Sequence, residues 1–138
     1  MRFMMLMIPG GYETAEPGTM PEDLGALDAM MAYNQSLEAA GILRDANGLH
    51  PPSMGARVSF RNGKPLVTDG PFAETKEVLG GYWIIEVGSR AEAIDWASRC
   101  PAGDNEIIEI RQIQEAEDWN EEARSVMDKY PDVLDRLR

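Results

Sequence analysis

Two stretches of this chain are apolar on both of the faces that a β-strand presents. Phe3-Met4-Met5-Leu6-Met7-Ile8 has no polar residue, and Tyr82-Trp83-Ile84-Ile85-Glu86-Val87 is interrupted by one charge, Glu86. A strand with one wet face alternates apolar with polar residues. These two do not, so each must be covered from both sides. Any fold for this sequence has to supply two covers for one sheet.

The segments around them identify one cover. Pro9-Gly10-Gly11 ends the first strand, and Thr19 with Glu22 has the spacing of a capping box, with Pro21 tolerated in the first turn. A helix is expected from there to about Ala40, stopped by Gly41. Its inward stripe reads Leu27, Met30, Asn34 and Leu37, flanked by Leu24 and Met31, with Tyr33 beside Asn34. Ile42 to Pro52 is less regular, Asn47-Gly48 is a turn signal, and His50-Pro51-Pro52 is stiff and extended. Asn62-Gly63 between two β-rich runs signals a tight hairpin. A two-residue turn sets its register, with Phe60 opposite Pro65, Val58 opposite Val67, Arg57 opposite Thr68 and Ala56 opposite Asp69. Phe60, Val58, Val67 and Asp69 then share one face.

Gly80-Gly81 opens the second all-apolar strand. Ser89 and Glu92 form a second capping box, and a short helix should turn Ile94, Ala97 and Cys100 inward before Pro101 closes it. Ile107 to Ile113 is a last strand. The order is strand, helix, strand with a hairpin excursion, strand, helix, strand. That is an α+β, ferredoxin-like antiparallel sheet with two helices on one face, an inserted β-hairpin and a C-terminal helix. Two helices cover one face only. The expected second cover is another copy of the chain, a homodimer packed sheet face to sheet face. The alternative cover is the segment 115–138, where Trp119, Ala123, Val126, Met127 and Tyr130 fall on one helical face and Pro131 restarts the chain.

Length and charge restrict the partners. The 138 residues, 43% of them hydrophobic, suit one packed domain. A net charge of −11 repels phosphate backbones and anionic lipid, so neither nucleic acid nor a membrane surface is an expected partner. One cysteine excludes an internal disulfide, and one histidine gives no metal cluster, so no cofactor is expected. The apolar start, Met1 to Ile8, is too short for a membrane span or a signal peptide, and a cytoplasmic location is the expectation.

The candidate site lies around Val67-Thr68-Asp69-Gly70-Pro71-Phe72-Ala73-Glu74-Thr75-Lys76-Glu77. His50 is the single side chain whose ordinary pKa lies near neutrality, which suits general acid–base work. Asp69 either orients it or caps the turn made by Gly70-Pro71. These two are the catalytic candidates, and loop direction decides whether they meet. Asn34 in the helix stripe points at the sheet and needs partners, from a ligand or from the backbone. Tyr33, Asn34, Arg57 and Phe72 are the substrate-binding candidates. Arg57 would hold an anion or form a surface ion pair, and Phe72 would stack or plug the core. Glu74, Lys76 and Glu77 read as a solvated charge run. Cys100 sits at a helix C-terminus, where the dipole disfavours a thiolate.

With Gly80-Gly81-Tyr82, Leu49-His50-Pro51-Pro52 and Glu109-Ile110-Arg111, the eleven-residue motif resembles the signature of the DGPF branch of the YCII-related family. The resemblance covers about residues 1–114, as one domain, and leaves 115–138 as a helical extension. It implies a dimeric α/β-barrel type of fold. It also implies small-molecule binding or acid–base chemistry, lyase- or isomerase-like, on a small organic acid. Better-known relatives are proposed to use a histidine in the first helix and an aspartate before a proline after the second. This chain has Tyr33 and Asn34 in that helix and Cys100 before Pro101, so that pair does not carry over. Branch members also resemble companions of extracytoplasmic-function sigma factors, which gives a second reading, a non-catalytic dimeric regulatory or interaction module.

Overall fold

The computed structural model describes residues 1–72 and 77–137. At its centre β1 (Arg2–Ile8) lies between β5 (Gly81–Glu86) and β6 (Ile107–Gln112), and β2 (Leu43–Gly48) completes an antiparallel sheet in the order β2-β5-β1-β6. The two all-apolar runs are therefore direct neighbours, with Phe3 opposite Ile85 and Met5 opposite Trp83. Helices α1 (Leu24–Ala39) and α2 (Arg90–Ser98) supply the side chains that cover one face. Phe3, Met5 and Met7 there are at most 8% exposed, packed with Tyr33, Leu37, Ile85 and Ala93. The expected α+β architecture is the one observed.

Local differences have physical reasons. Asp23, not Thr19, caps α1: its carboxylate accepts the Ala26 N–H at 3.0 Å, and the Thr19 hydroxyl bonds Glu16 instead. The helix starts late enough to leave Pro21 outside it. Its buried positions are Tyr33 and Leu37 with Met30 behind them, so the inward stripe is rotated and Leu24, Leu27 and Met31 stay exposed. Asn47-Gly48 is the end of β2 rather than a turn, opposite Tyr82 and Gly81. A Cβ on Gly81 would stand 3.0 Å from the Asn47 carbonyl, so glycine permits that close pairing. Ala93 and Ala97 turn inward from α2, whereas Ile94 is exposed. Trp119 lies outside any helix. Beyond it α3 (Glu121–Met127), capped by Asn120, and α4 (Pro131–Arg136) turn Ala123, Met127 and Leu134 inward and leave Val126 and Tyr130 exposed.

The second sheet face is covered at one end by this C-terminal segment. Arg2 donates to both Glu115 carboxylate oxygens, at 2.9 and 3.1 Å, and to the Leu137 carbonyl at 3.1 Å. Between sheet and segment lies a hollow of about 370 Å³ walled by Met4, Ile84, Trp119, Met127 and Leu134. Elsewhere this face is more polar than β1 and β5 alone imply, because the outer strands carry polar groups on it. The Tyr82 hydroxyl donates to Asp45 at 2.8 Å and accepts from Asn47 at 3.1 Å, and Arg111 pairs with Glu109 at 3.4 Å.

The hairpin β3 (Ala56–Arg61) and β4 (Lys64–Asp69) forms a separate two-stranded sheet. Its register is the one the Asn62-Gly63 turn demands, including Arg57 opposite Thr68 and Ala56 opposite Asp69. Asn62 and Gly63 both take positive φ, 53° and 74°, as a tight hairpin turn requires. Every residue of both strands is exposed.

Candidate functional site

A pocket of about 480 Å³ opens between α1 and the sheet. Met7, Met30, Met31 and Ala46 give it apolar walls, Gly48 and Gly80-Gly81 form one rim, and Asn34 with Trp83 provides its polar wall. Trp83 donates its indole N–H to the Asn34 Oδ1 at 2.7 Å. An indole nitrogen is a donor only, so this bond fixes the amide orientation: Oδ1 faces Trp83 and the NH₂ group faces away. Among the described residues the one hydrogen-bonding contact of Nδ2 is the Met31 sulfur at 3.8 Å, a weak acceptor. A half-buried amide thus presents donors in an apolar hollow. The expected inward placement of Asn34 holds, with its oxygen bonded to Trp83 and its NH₂ group on the pocket side.

A second hollow, of about 470 Å³, lies beside the Asp69-Gly70-Pro71-Phe72 loop, lined by His50, Pro51, Arg57, Phe72, Glu77 and Val78 among others. The loop's small residues build it. Gly70 donates its N–H to Gly55 at 2.9 Å, and a Cβ on Gly70 would lie 1.7 Å from the Pro52 carbonyl oxygen, so the chain passes there only as glycine. The peptide Gly70-Pro71 is cis. Phe72 follows beneath Arg57, whose guanidinium carbon stands 4.0 Å from the ring centroid, a cation–π contact. The loop motif therefore ties the foot of the hairpin to the Pro52–Gly55 segment that leads into it. Ala73 to Lys76, with the charges Glu74 and Lys76, lie outside the described residues.

The two hollows meet where β2 and β5 run out. Leu49 donates to the Gly80 carbonyl at 2.9 Å and Gly80 donates to Met7 at 2.8 Å. Gly48 and Gly80 line the first hollow while Leu49 and Leu79 line the second. Tyr12 closes this junction by donating to the Leu49 carbonyl at 2.6 Å. Gly80 is held against the Pro9 ring, where a Cβ would approach Cγ to 2.7 Å.

The other candidates separate. His50 is exposed at the edge of the second hollow. Asp69 is exposed at the foot of β4, outside the residues lining either hollow, and among the described residues no hydrogen bond or ion pair joins it to His50. Tyr33 is a core residue. Its hydroxyl donates to the Trp96 carbonyl at 2.8 Å, its ring meets Trp83 edge-on at 5.9 Å, and burial pushes its phenol well above the usual range. Cys100 is half-buried against Met30, and burial, with Glu106 adding to it, pushes its thiol up to about 11. It is a weak nucleophile near neutral pH. Trp83 is the pocket residue that sequence reasoning missed: a polar tip inside an all-apolar strand implies a buried acceptor, and Asn34 is that acceptor. Among the described residues no cluster of His, Cys, Asp or Glu could hold a metal ion, and no helix is long and apolar enough to cross a membrane.

The profile of the YCII-related domain matches residues 1–120. The chain belongs to that family. This YCII-related chain is 37% identical over 76 residues to "Uncharacterized protein R00369" of Rhizobium meliloti (strain 1021). That alignment covers 55% of the chain and 61% of the relative, so the chain spans less than two thirds of that protein. Among solved structures it is similar to 5-chloro-2-hydroxyhydroquinone dehydrochlorinase (TftG) from Burkholderia phenoliruptrix AC1100, in complex with 2,5-dihydroxybenzoquinone. That match has 14% identity and a TM-score of 0.44, and covers 87% of this chain and all of that one (100%). The matched span of the YCII-related domain includes Asn34, both hollows and the hairpin, and ends before α3 and α4.

Proposed function

We propose that this YCII-related chain binds a small organic acid or carbonyl compound in the pocket between α1 and the sheet. The observation that carries the reading is the Asn34 amide. Its oxygen is taken by Trp83, and its NH₂ group lies in an apolar hollow with one weak sulfur contact. Such a donor recognises a carbonyl or carboxylate oxygen, while the methionines and Trp83 take the ligand's carbon frame. The acid–base element of the reading falls to His50. It borders the adjoining hollow, where a ligand reaching past the Gly48–Gly80 junction would meet it. Arg57, stacked on Phe72, lines the same hollow. Asp69 enters this scheme through the loop it begins rather than as a bonded partner of His50.

The test is an NMR titration that follows the Trp83 indole N–H and the Asn34 side-chain NH₂. Benzoate, a hydroxybenzoate and a small lactone serve as probes. The expected result is a saturable shift of both signals with at least one probe, lost in Asn34→Leu. Shifts that persist in Asn34→Leu, or none with any probe, would remove the pocket as the site. His50→Gln should leave binding intact and suppress any lactone turnover. The exposed hairpin favours the second reading, an interaction module, and the two readings are compatible within one chain.

A further inference from the structure

We propose that the α1–sheet pocket selects the uncharged form of its ligand. It takes a ketone, ester or lactone carbonyl, or a carboxylic acid in its protonated state, in preference to a carboxylate. This deepens the ligand reading above and rests on it. The Asn34 NH₂ group can donate to either kind of oxygen, so the choice falls to what surrounds it.

Those surroundings hold no compensating charge. Among the described residues that line the pocket none is a lysine, an arginine or a histidine. Beside Asn34 Nδ2 lies the Met31 sulfur at 3.8 Å, and Met7, Met30 and Ala46 add apolar walls. Three residues of the lining turn donors toward one carboxylate. The Ala46 N–H, the Asn47 amide and the Tyr82 hydroxyl all bond Asp45, at 3.0, 3.3 and 2.8 Å. Among the described residues, the ionised group hydrogen-bonded to the lining is thus an anion. The chain as a whole adds to that field, with a net charge of −11. Arg57, and His50 when protonated, line the adjoining hollow instead, together with Glu77.

Two effects oppose each other when a carboxylate enters. A hydrogen bond from an amide to an anion is about twice as strong as one to a neutral carbonyl. Against it stands the anion's lost hydration, which a site offsets only with an opposite charge or several donors. Here one amide donates, and Asp45 repels, so desolvation wins. A neutral carbonyl gives up little hydration, keeps the Asn34 bond and lays its carbon frame on the thioethers. The same contrast makes an acid ligand pH-dependent. Above the ligand's own carboxyl pKa its neutral fraction, and with it the apparent affinity, falls about tenfold per pH unit. The titratable groups that border the site are Asp45 on β2 and Tyr82 on β5, with His50 and Glu77 across the junction; α1 contributes Met30, Met31 and Asn34 to the lining and no ionisable group.

The experiment compares acetophenone with benzoate, which share a ring and a carbonyl and differ in a methyl group against a charged oxygen. Binding to the full chain is followed by NMR at the Trp83 indole N–H, at neutral pH and at about pH 5, in the wild type and in Met31→Lys. Met31 is 57% exposed, so the variant should fold, and it sets an ammonium beside Asn34. The expected result is acetophenone bound at least about tenfold tighter than benzoate at neutral pH. On acidification benzoate should tighten while acetophenone, which does not titrate, stays constant and controls for changes in the protein. In Met31→Lys the gap should close at neutral pH through tighter benzoate. Benzoate bound as tightly as acetophenone by the wild type, with shifts lost in Asn34→Leu, would overturn charge selection and leave the pocket as the ligand site. A gap that Met31→Lys leaves unchanged would also overturn it, since shape would then set the preference. Shifts from neither compound, or shifts that persist in Asn34→Leu, would remove the site itself and the selection with it.

Discussion

Phe3 and Phe60 are the same residue type in antiparallel strands of similar length, yet one is 2% and the other 75% exposed. Phe3 lies in the middle of a four-stranded sheet whose helical cover comes from the same chain. Phe60 lies in a two-stranded ribbon attached at its foot by Gly70 to Gly55 and by Phe72 under Arg57. Strand formation and strand burial are therefore separate problems here. The Asn62-Gly63 turn sets the ribbon's pairing locally, and every residue of its two strands stays exposed. The core strands carry no comparable local turn and are positioned by what packs on them.

Substitution should separate the two regions widely. Leu37→Ala or Phe3→Ala, each at a fully or nearly fully buried site, should cost about 2–5 kcal/mol in urea unfolding, from lost transfer energy and an incompletely collapsed cavity. Phe60→Ala in dilute protein should cost less than about 0.5 kcal/mol, as surface changes do. A Phe60→Ala cost near that of Phe3→Ala would break the comparison, because the ribbon would then be buried in the single chain. The foot of the hairpin should rank next. Gly70→Ala sets a Cβ 1.7 Å from the Pro52 carbonyl oxygen, backbone against backbone, so one segment must move. A loss of about 2 kcal/mol or more is expected. Gly63→Ala at the turn meets open space and bears only the strain of its φ of 74°, at a cost of about 1 kcal/mol. Loss of the Gly70 tie should also shift the amide signals of both hairpin strands while leaving those of β1 and β5 in place.

The pocket wall gives an intermediate effect. Asn34→Leu removes the acceptor of a part-buried indole N–H, at about 1–2 kcal/mol. Asn34→Asp keeps an acceptor for Trp83 and should hold stability closer to wild type, but it replaces the pocket-facing donor with an anion. Ligand binding lost in both variants, with stability lost mainly in the first, would distinguish recognition by Asn34 from a packing role.

Legibility from the sequence follows the same division. The hairpin register could be read residue by residue because a two-residue turn allows one pairing. The order of core elements was legible from periodicity and from two strands apolar throughout. What failed depended on contacts far along the chain. Asn47-Gly48 reads as a turn in isolation, but Gly81 and Tyr82 across the sheet draw it into β2. The stripe of α1 reads through Leu27, but Tyr33 turns inward because Trp83 and the Trp96 carbonyl receive its ring and hydroxyl. At the site, Asn34 was legible as a polar interruption of an apolar stripe. Trp83 was not, because its partner lies 49 positions away in sequence. His50 and Arg57 lie on one hollow because Gly70 crosses Pro52, a close approach that composition does not reveal.

The smallest expected effect concerns the C-terminal cover of the second sheet face. Arg2 holds the Glu115 carboxyl below its ordinary range, chiefly through their direct hydrogen bonds. A carboxyl whose folded pKa is depressed stabilises the fold fully above its unfolded value of about 4.3, and that contribution fades as pH falls through the folded value. The pair is partly solvated, so its share should stay below about 1 kcal/mol and shrink in high salt. Hydrogen exchange in α3 and α4 should therefore speed up on acidification from about pH 5 to pH 3. Glu115→Gln should raise exchange in α3 and α4 at neutral pH and flatten its dependence on acid. An unchanged acid dependence in that variant would mean that packing of Met127 and Leu134 on Met4 and Ile84, rather than the ion pair, holds the C-terminal segment on the sheet.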